Sequence, residues 1–404
     1  MRWRLALRNI IRHRLRSALS IFMIAGAVLA IIIFRGFSDY SLSALKIIAA
    51  ENQFGHIQIA KEKYWSPGKE SRSERMFSLS EISSVKEKNT EVNSISGRLS
   101  FYGLVSNGDL SVGAKMIGVD IEGEPQFSST VRMISGVFFT GPNVNEAIVG
   151  RLLAKQLNLK EGDNLTILTN TIDGVMNAMD LTVTGIFSAG IDEIDAQFIY
   201  LPLSVTQTVL DTDQVDIAVI KLKDVNKTDM VQKNIESILK SLNSNLFSKT
   251  WRELAVLFRQ VEKYYGVQNS LVEGILLILM FLGILNTVSM TVVERTGEIG
   301  TLRSMGEKRS DIVKQFVLES FILSVIGIIV GVIFSSLMIS LIHGANIMTE
   351  MPGASTPFQI KIHFLMSSVV YASVLSMGTA LFATGVPAYR AARLDIVDAL
   401  RKNI

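Results

Sequence analysis

Four long apolar segments constrain this chain more than any other feature of its sequence. They cover residues 17–34, 274–293, about 316–342 and about 364–386, and Glu319 is the one charged side chain among them. The shortest has 18 residues, which as an α-helix spans about 27 Å, close to the thickness of the hydrocarbon core. None shows the alternation that marks a barrel strand. The sequence therefore predicts a polytopic α-helical membrane protein with four transmembrane helices.

The composition supports a membrane protein and removes several classes of function. Charged residues make up 19% of the 404 residues, against about 25% in an average soluble domain. The net charge of +3 is too small to indicate a nucleic-acid partner. The chain contains no cysteine, which excludes disulfides, thiol catalysis and zinc–thiolate sites.

The distribution of positive charge predicts the orientation. Arginine and lysine cluster in residues 1–16, 294–315 and 387–404, whereas the segment 343–363 holds only Lys361. Positive segments stay in the cytoplasm. We therefore expect both termini and the 294–315 loop to be cytoplasmic, which four spans allow.

The first apolar segment has two interpretations. A cleavable signal peptide is one, because the small residues at 25–30 (AGAVLA) offer cleavage positions. A signal core usually has about 7–15 apolar residues, whereas this segment has 18. Its length favours a retained transmembrane helix.

Residues 37–269 are long enough for a folded domain outside the membrane. The stretches 56–60, 181–187 and 215–222 are β-branched and partly alternating, as in strands. Residues 147–159 have helical spacing and precede a turn at 161–164. The pattern predicts a large α+β extracytoplasmic domain between the first and second transmembrane helices.

The two ends of that domain have helical patterns of their own. Residues 41–51 follow the first span and residues 251–265 precede the second, and both are amphipathic. We interpret them as stalks that prolong the spans and carry rigid-body motion to the domain. The alternative is that they are ordinary surface helices of the domain.

No enzymatic constellation is present in the sequence. The four histidines are far apart, no HExxH or GxSxG occurs, and no GxxxxGK[ST] phosphate-binding loop occurs. The nearest approaches to that loop, at 66–71 and 300–310, lack its spacing. We interpret the acidic run of Asp192, Glu193 and Asp195 as a solvated loop rather than a metal site. The expected catalytic, metal and cofactor-binding residues are therefore none.

Two polar residues lie within the apolar segments. Glu319 is one turn into the third span, close enough to the interface to reach headgroups or a basic loop residue. Asn286 in the second span can form a hydrogen bond between helices. We interpret both as structural rather than as part of a proton path.

The loop after the second span predicts a short helix. Charges alternate in sign at Glu294, Arg295, Glu298 and Arg303, and Gly306 is a plausible stop. Ile299 and Leu302 add an apolar face. The pattern predicts a short amphipathic helix on the cytoplasmic side; a solvated loop would explain the charges but not the helical pattern in a loop this short.

Several motifs carry a resemblance to a known family. ERTGEIGTLRSMG at 294–306 resembles the cytoplasmic loop of FtsX-like permeases, and residues 5–19 and 387–401 resemble that family's opening helix and closing tail. Residues 55–60, 146–167, 183–187 and 198–210 resemble the MacB-type periplasmic core. Within this superfamily, GHIQI after the first span looks most like the lipoprotein-release permeases LolC and LolE.

This resemblance implies a non-catalytic permease subunit in the bacterial inner membrane, with the large domain periplasmic. A separate cytoplasmic ABC ATPase, of the LolD or MacB type, would bind ATP and magnesium, and this chain would hold no cofactor. Further partners implied are a second permease copy or paralogue, membrane lipids, and a periplasmic or outer-membrane protein. The residues expected to couple to the ATPase are Glu294, Arg295, Glu298, Ile299, Gly300, Leu302, Arg303 and Gly306.

Three functions compete at this point. The first is lipoprotein or lipid release, or efflux from the outer leaflet or periplasm. The second is mechanotransmission that regulates a cell-wall hydrolase or sensor, in the manner of FtsX. The third, a membrane-anchored enzyme, has no motif in its favour.

The predicted division of the chain is 1–16 amphipathic helix, 17–36 first span, 37–269 stalk and external domain, 270–293 second span, 294–315 coupling loop, 316–342 third span, 343–363 external loop, 364–386 fourth span and 387–404 tail.

Overall fold

The protein, seen in a computed structural model, is described at residues 8–66, 72–123, 131–349 and 358–394. It divides into two compact units. We call them the membrane unit (residues 1–43, 261–347 and 359–404) and the sheet unit (residues 44–260 and 348–358).

The helices and strands follow in chain order. The α-helices are α1 (Arg14–Ile47), α2 (Glu62–Trp65), α3 (Ser83–Glu87), α4 (Arg151–Gln156), α5 (Asp192–Gln197), α6 (Leu203–Leu210), α7 (Thr228–Ser241), α8 (Trp251–Leu254), α9 (Val256–Glu294), α10 (Thr296–Ser304), α11 (Arg309–Gly344) and α12 (Met366–Ala392). The strands are β1 (Ile57–Lys61), β2 (Val92–Ser106), β3 (Ser111–Val119), β4 (Arg132–Gly136), β5 (Glu146–Gly150), β6 (Asn164–Asn170), β7 (Met176–Ser188), β8 (Phe198–Pro202), β9 (Ile217–Leu222), β10 (Leu246–Thr250), β11 (Met348–Thr349) and β12 (Phe358–Gln359).

Four helices of the described chain, α1, α9, α11 and α12, are long and apolar enough to cross a membrane. The predicted four-helix architecture is confirmed. The 39 residues of α9 make it about 58 Å long, nearly twice the hydrocarbon thickness.

The segments interpreted as stalks are helical continuations of α1 and α9. The first passes into a π-helix at Ile48–Gln53, and the second is interrupted at Ala255.

Small side chains let the membrane helices approach closely. The buried face of α12 carries a small residue at every fourth position, and Thr384 on it lies 2.6 Å from Ser320 of α11, oxygen to oxygen. Without a hydrophobic driving force between helices in lipid, such packing provides the contact energy. The buried small residues of α12 at this spacing are Ser368, Ala372, Ser376, Ala380, Thr384 and Ala388.

The helix of the fourth span continues beyond the predicted end of that span at residue 386. The tail was expected to begin at Pro387, but α12 continues to Ala392 with Pro387 inside it. The helix persists because Ala388, Ala391 and Ala392 pack in a buried cluster, which outweighs the one backbone hydrogen bond that proline removes. The rest of the tail motif, 395–401, lies outside the described residues, as do residues 1–7 of the predicted opening helix and 67–71 of the segment 66–71.

The sheet unit is built on one mixed sheet. Its strand order is β10-β1-β9-β2-β3-β8-β5-β7-β4, and β6 pairs with both β2 and β7. Helix α7 covers part of the sheet with Val231, Ile235 and Leu239, which lie four residues apart and are buried. The predicted α+β domain is confirmed, including strands at 56–60, 181–187 and 215–222.

One helix prediction in this unit was partly wrong. Residues 147–159 were predicted as a helix, yet Ala147, Ile148 and Val149 belong to strand β5, and α4 starts at Arg151. Strand β5 pairs with β7 on one side and β8 on the other. A strand buried on both faces is continuously apolar, so it has no alternation to distinguish it from a helix.

The acidic run is also different from its prediction as a solvated loop. It forms α5, and Asp195 is completely buried. Its carboxylate accepts hydrogen bonds of 2.7 Å from Ser188 Oγ and from the backbone N–H of Ala189. Asp195 therefore holds the turn after β7 in place, while Asp192 is half exposed.

Replacing Asp195 with alanine is expected to lower the free energy of unfolding by about 1–3 kcal/mol, because two buried donors lose their acceptor. Thermal denaturation of the full chain in detergent measures this loss. Asp192→Ala on the same helix is the matched control and should melt like the wild type. Equal melting temperatures for all three proteins would contradict the role given to Asp195.

Candidate coupling site

The predicted coupling helix exists as α10, Thr296–Ser304, between the second and third membrane helices. It begins directly after α9, separated from it by Arg295. It ends before Gly306, whose φ of 94° lies in the left-handed region that glycine adopts without strain. The helix and its glycine stop are therefore both present as the sequence indicated.

One face of α10 is packed against the membrane helices. Ile299 is buried in a cluster with Ile312 and Phe316 of α11 and with the alanines at the end of α12. Leu302 packs against the same cluster. Apolar burial of this kind stabilises a short helix that would be marginal alone. Helix α10 is thus held by α11 and α12.

Arg295 fixes the start of α10 through a buried ion pair. Its Nη1 lies 3.1 Å from each carboxylate oxygen of Glu319, and both side chains are about nine-tenths buried. Asn9 donates to the same carboxylate at 2.7 Å, and Arg295 Nε donates to Glu298 at 3.2 Å. A buried charge needs such partners. The interpretation that Glu319 reaches a basic loop residue is confirmed.

The other end of α10 is fixed by Arg303. Its Nη1 donates to the backbone carbonyl of Ala392 at 2.9 Å. Ala392 is the last residue of α12, where unpaired carbonyls and the helix dipole favour a cation. Both ends of α10 are therefore bound to membrane helices by arginine.

The structure divides the eight predicted coupling residues into two groups. Arg295, Ile299 and Gly300 are buried, and Leu302 and Arg303 are half buried, so these five attach α10 to the membrane unit. The exposed residues are Glu294, Glu298 and Gly306.

Sequence reasoning missed part of the exposed surface of α10. Thr301, Ser304 and Met305 are exposed, and Met305 is 77% exposed. Helical spacing from Glu298 places Thr301 and Met305 on its face, so the period of the helix was a signal that could have found them. We call Glu298, Thr301, Ser304 and Met305 the open face of α10.

A second polar cluster, which the sequence did not predict, joins the membrane helices α1, α9 and α12. Arg35 Nε of α1 donates to Glu273 Oε1 of α9 at 2.6 Å, and the hydroxyl of Tyr371 donates to Glu273 Oε2 at 3.0 Å. The Arg35 guanidinium also lies 3.7 Å from the centre of the Tyr371 ring. Asn286 is exposed, and its hydrogen bond between helices stays a prediction.

The π-helix of the sheet unit carries another charged group. Glu51, in the π-helix, lies 2.8 Å from His56 Nε2 and 3.7 Å from Lys221 Nζ. His56 Nδ1 accepts the backbone N–H of Leu222 at 2.9 Å, so Nε2 carries the proton. The π-helix is thereby connected to strand β9 within the sheet unit.

Asp216 is the centre of a buried ionic group in the sheet unit. It accepts the backbone N–H of Ser100 at 2.8 Å, and Arg72 lies 3.6 Å away. Burial raises the pKa of Asp216, and the nearby Arg72 opposes that rise. Burial, with the charge of Asp216, also raises the pKa of Tyr64 to about 12. These shifts follow from structural burial, so they do not by themselves indicate catalysis.

Comparison with known families accounts for most of the chain. The family described as the MacB-like periplasmic core domain matches residues 17–238, and the FtsX-like permease C-terminal family matches residues 271–396. The predicted coupling helix lies inside the second match, and the sheet unit lies largely inside the first.

Curated relatives give the same assignment. LolC of Xylella fastidiosa, a lipoprotein-releasing system transmembrane protein, is 27% identical over 284 residues, which are 64% of this chain and 65% of LolC. The macrolide export ATP-binding/permease protein MacB of Nitrobacter winogradskyi is 26% identical over 67% of this chain and 41% of its own length. The pyoverdine export protein PvdT of Pseudomonas syringae pv. tomato is 29% identical over 45% of this chain and 26% of its own. The chain therefore spans from about a quarter to two-thirds of these relatives.

Two solved structures align with about half of the chain. The extracellular domain of the ABC-type transporter YknZ from Gram-positive bacteria aligns over 48% of this chain and all of its own, with 12% identity and a TM-score of 0.37. The periplasmic region of MacB from Actinobacillus actinomycetemcomitans aligns over 49% of this chain and 89% of its own, with 14% identity and a TM-score of 0.36.

Proposed function

Because the chain belongs to the ABC-transporter permeases with a MacB-like periplasmic core and an FtsX-like C-terminal domain, we propose that it couples a cytoplasmic ATPase to movement of its extracytoplasmic domain. In this proposal the ATPase is a separate chain that binds ATP and magnesium. The membrane is the bacterial inner membrane, with both termini and α10 in the cytoplasm.

The observation that carries this proposal is the attachment of α10. The helix is bound at both ends by arginine and packed along one side, so a force on its open face passes to α11 and α12 rather than bending a loop. The open face is polar except for Met305. A polar surface with a single exposed apolar anchor suits a partner interface.

The substrate we propose is a lipid-modified protein or another amphiphile released from the outer leaflet. The similarity to LolC, a lipoprotein-releasing system transmembrane protein, supports it. Mechanotransmission to a hydrolase or sensor is the alternative outcome. Purification of the native complex distinguishes them, because release predicts a co-purifying lipoprotein and mechanotransmission predicts a cell-wall enzyme or a sensor.

Replacing Met305 with glutamate is expected to reduce ATPase recovery with the tagged permease at least about tenfold, since a charge in an interface anchor costs more than about 1.4 kcal/mol. The measurement is co-purification from membranes, with the ATPase identified by its phosphate-binding loop. Met230→Glu is the matched control, because Met230 is an exposed methionine of the sheet unit. Equal ATPase recovery from the two variants would contradict docking at the open face.

A further inference from the structure

The first two membrane spans are bracketed by charges of opposite sign. Arg16 and Arg35 stand directly before and after the apolar segment 17–34, and Glu273 and Glu294 do the same for 274–293. The proposed orientation places Arg35 on the external side, where the positive-inside rule disfavours arginine. Topology alone therefore does not account for these four residues.

The structure brings the four residues together as two ion pairs. Arg35 binds Glu273 at 2.6 Å, with Glu273 only 10% exposed. Arg16 binds Glu294 at the other end of the same two helices. Between the pairs, Gly283 of α9 lies directly against the side chain of Met23 of α1. Helices α1 and α9 are thus joined at both ends of their apolar segments and are in close contact between them.

The spacing of the pairs matches the membrane. Arg16 and Arg35 are 19 residues apart, which is about 29 Å along a helix and close to the hydrocarbon thickness of about 30 Å. The pairs therefore belong at the two interfaces, where ion pairs are less screened than on a fully solvated surface. Tyr371 reinforces the external pair by hydrogen bonding and stacking.

We propose that these two ion pairs act as a clamp that makes α1 and α9 move as one body. Arg16, Arg35, Glu273 and Glu294 are then positioning residues for coupling. The reason is connectivity: α1 and α9 are the membrane helices whose continuations enter the sequence of the sheet unit at residues 44 and 260. Without the ion pairs, α1 and α9 would slide past each other when a force acts on them. With the ion pairs, both helices would transmit the same displacement to the sheet unit. This inference rests on the proposed function.

Spin labels test the clamp itself, without the ATPase. The chain has no native cysteine, so Phe34→Cys and Leu271→Cys give one label on each helix, measured in the full chain in lipid nanodiscs. Arg35→Glu is expected to widen the distance distribution, and the charge swap Arg35→Glu with Glu273→Arg is expected to narrow it again. Lys63→Glu, which breaks an exposed ion pair with Glu74, is the control and should change nothing. A distribution that Arg35→Glu leaves unchanged overturns the clamp.

Cross-linking tests its role in coupling. In the complex with its ATPase, labels at Asp109→Cys in the two permease copies report the shift of the external domains between nucleotide-free and vanadate-trapped states. Arg35→Glu is expected to remove most of this shift, and the charge swap to restore it.

A second experiment uses a separately labelled complex, with a fluorescent amino acid at 109. Its variant, Arg35→Cys with Glu273→Cys, should lose the shift of the external domains when reduced and regain it with a short bis-methanethiosulfonate cross-linker. If the cross-link abolishes the shift, the helices must move relative to each other and the proposal is wrong. A wild-type complex without any shift would contradict the proposed function, while the nanodisc distances still decide the clamp.

Discussion

Replacing Arg295 with alanine is expected to lower the free energy of unfolding by about 3–5 kcal/mol, because it leaves the buried carboxylate of Glu319 without its main partner. Among the described residues that hydrogen-bond to that carboxylate, Asn9 remains, at 2.7 Å. The start of α10 should detach from α11, and ATPase recovery should fall with it. Thermal denaturation and co-purification measure the two effects on the same preparation.

Two controls distinguish the effect of breaking this buried ion pair from the effect of removing a charge elsewhere. Arg12→Ala breaks the pair with Glu298, in which Arg12 is 67% exposed, and should cost less than about 1 kcal/mol. Arg295→Met with Glu319→Met removes both charges and should recover most of the stability, since a buried pair can often be replaced by apolar side chains. Wild-type melting of Arg295→Ala would show that the pair does not hold α10.

The membrane helices and α10 were predictable because their signals are local. Length and lack of charge define a span without knowledge of its neighbours, and alternating charges followed by Gly306 define a short helix. The external domain was predictable in class for the same reason, since β-branched strands at 181–187 and 215–222 have a local pattern.

The remaining features depend on contacts between distant residues. Arginine is seldom buried, so nothing in the loop sequence indicated that Arg295 is an internal residue of the site. Strand β5 has no alternating pattern of apolar and polar residues, because residues 147–149 are buried on both faces of the strand. The ion pair of Arg35 and Glu273 has a partial signal in the sequence, because each residue stands at the end of an apolar segment. The sequence does not show that the two residues form a pair, because that requires α1 and α9 to be neighbours.

The same dependence on contacts explains how α1 is held from its other side. Helix α11 presents Gly327 and Gly331 to α1, and a Cβ added at Gly331 would lie 2.8 Å from the carbonyl oxygen of Ala25 and 2.9 Å from the Cβ of Val28. The first of these neighbours is backbone, which cannot rotate away. Any side chain at Gly331 must therefore separate the two helices, and that separation would disturb the helix that carries Arg16 and Arg35.

Replacing Gly331 with leucine is accordingly expected to lower the free energy of unfolding by about 3 kcal/mol or more, through overpacking of a close helix contact. Gly378→Leu is the matched control, because Gly378 is in α12 and a Cβ there meets nothing within 4 Å. Denaturant titration of both variants in bicelles measures the difference. Equal stability of the two variants would mean that α1 and α11 do not depend on this close contact.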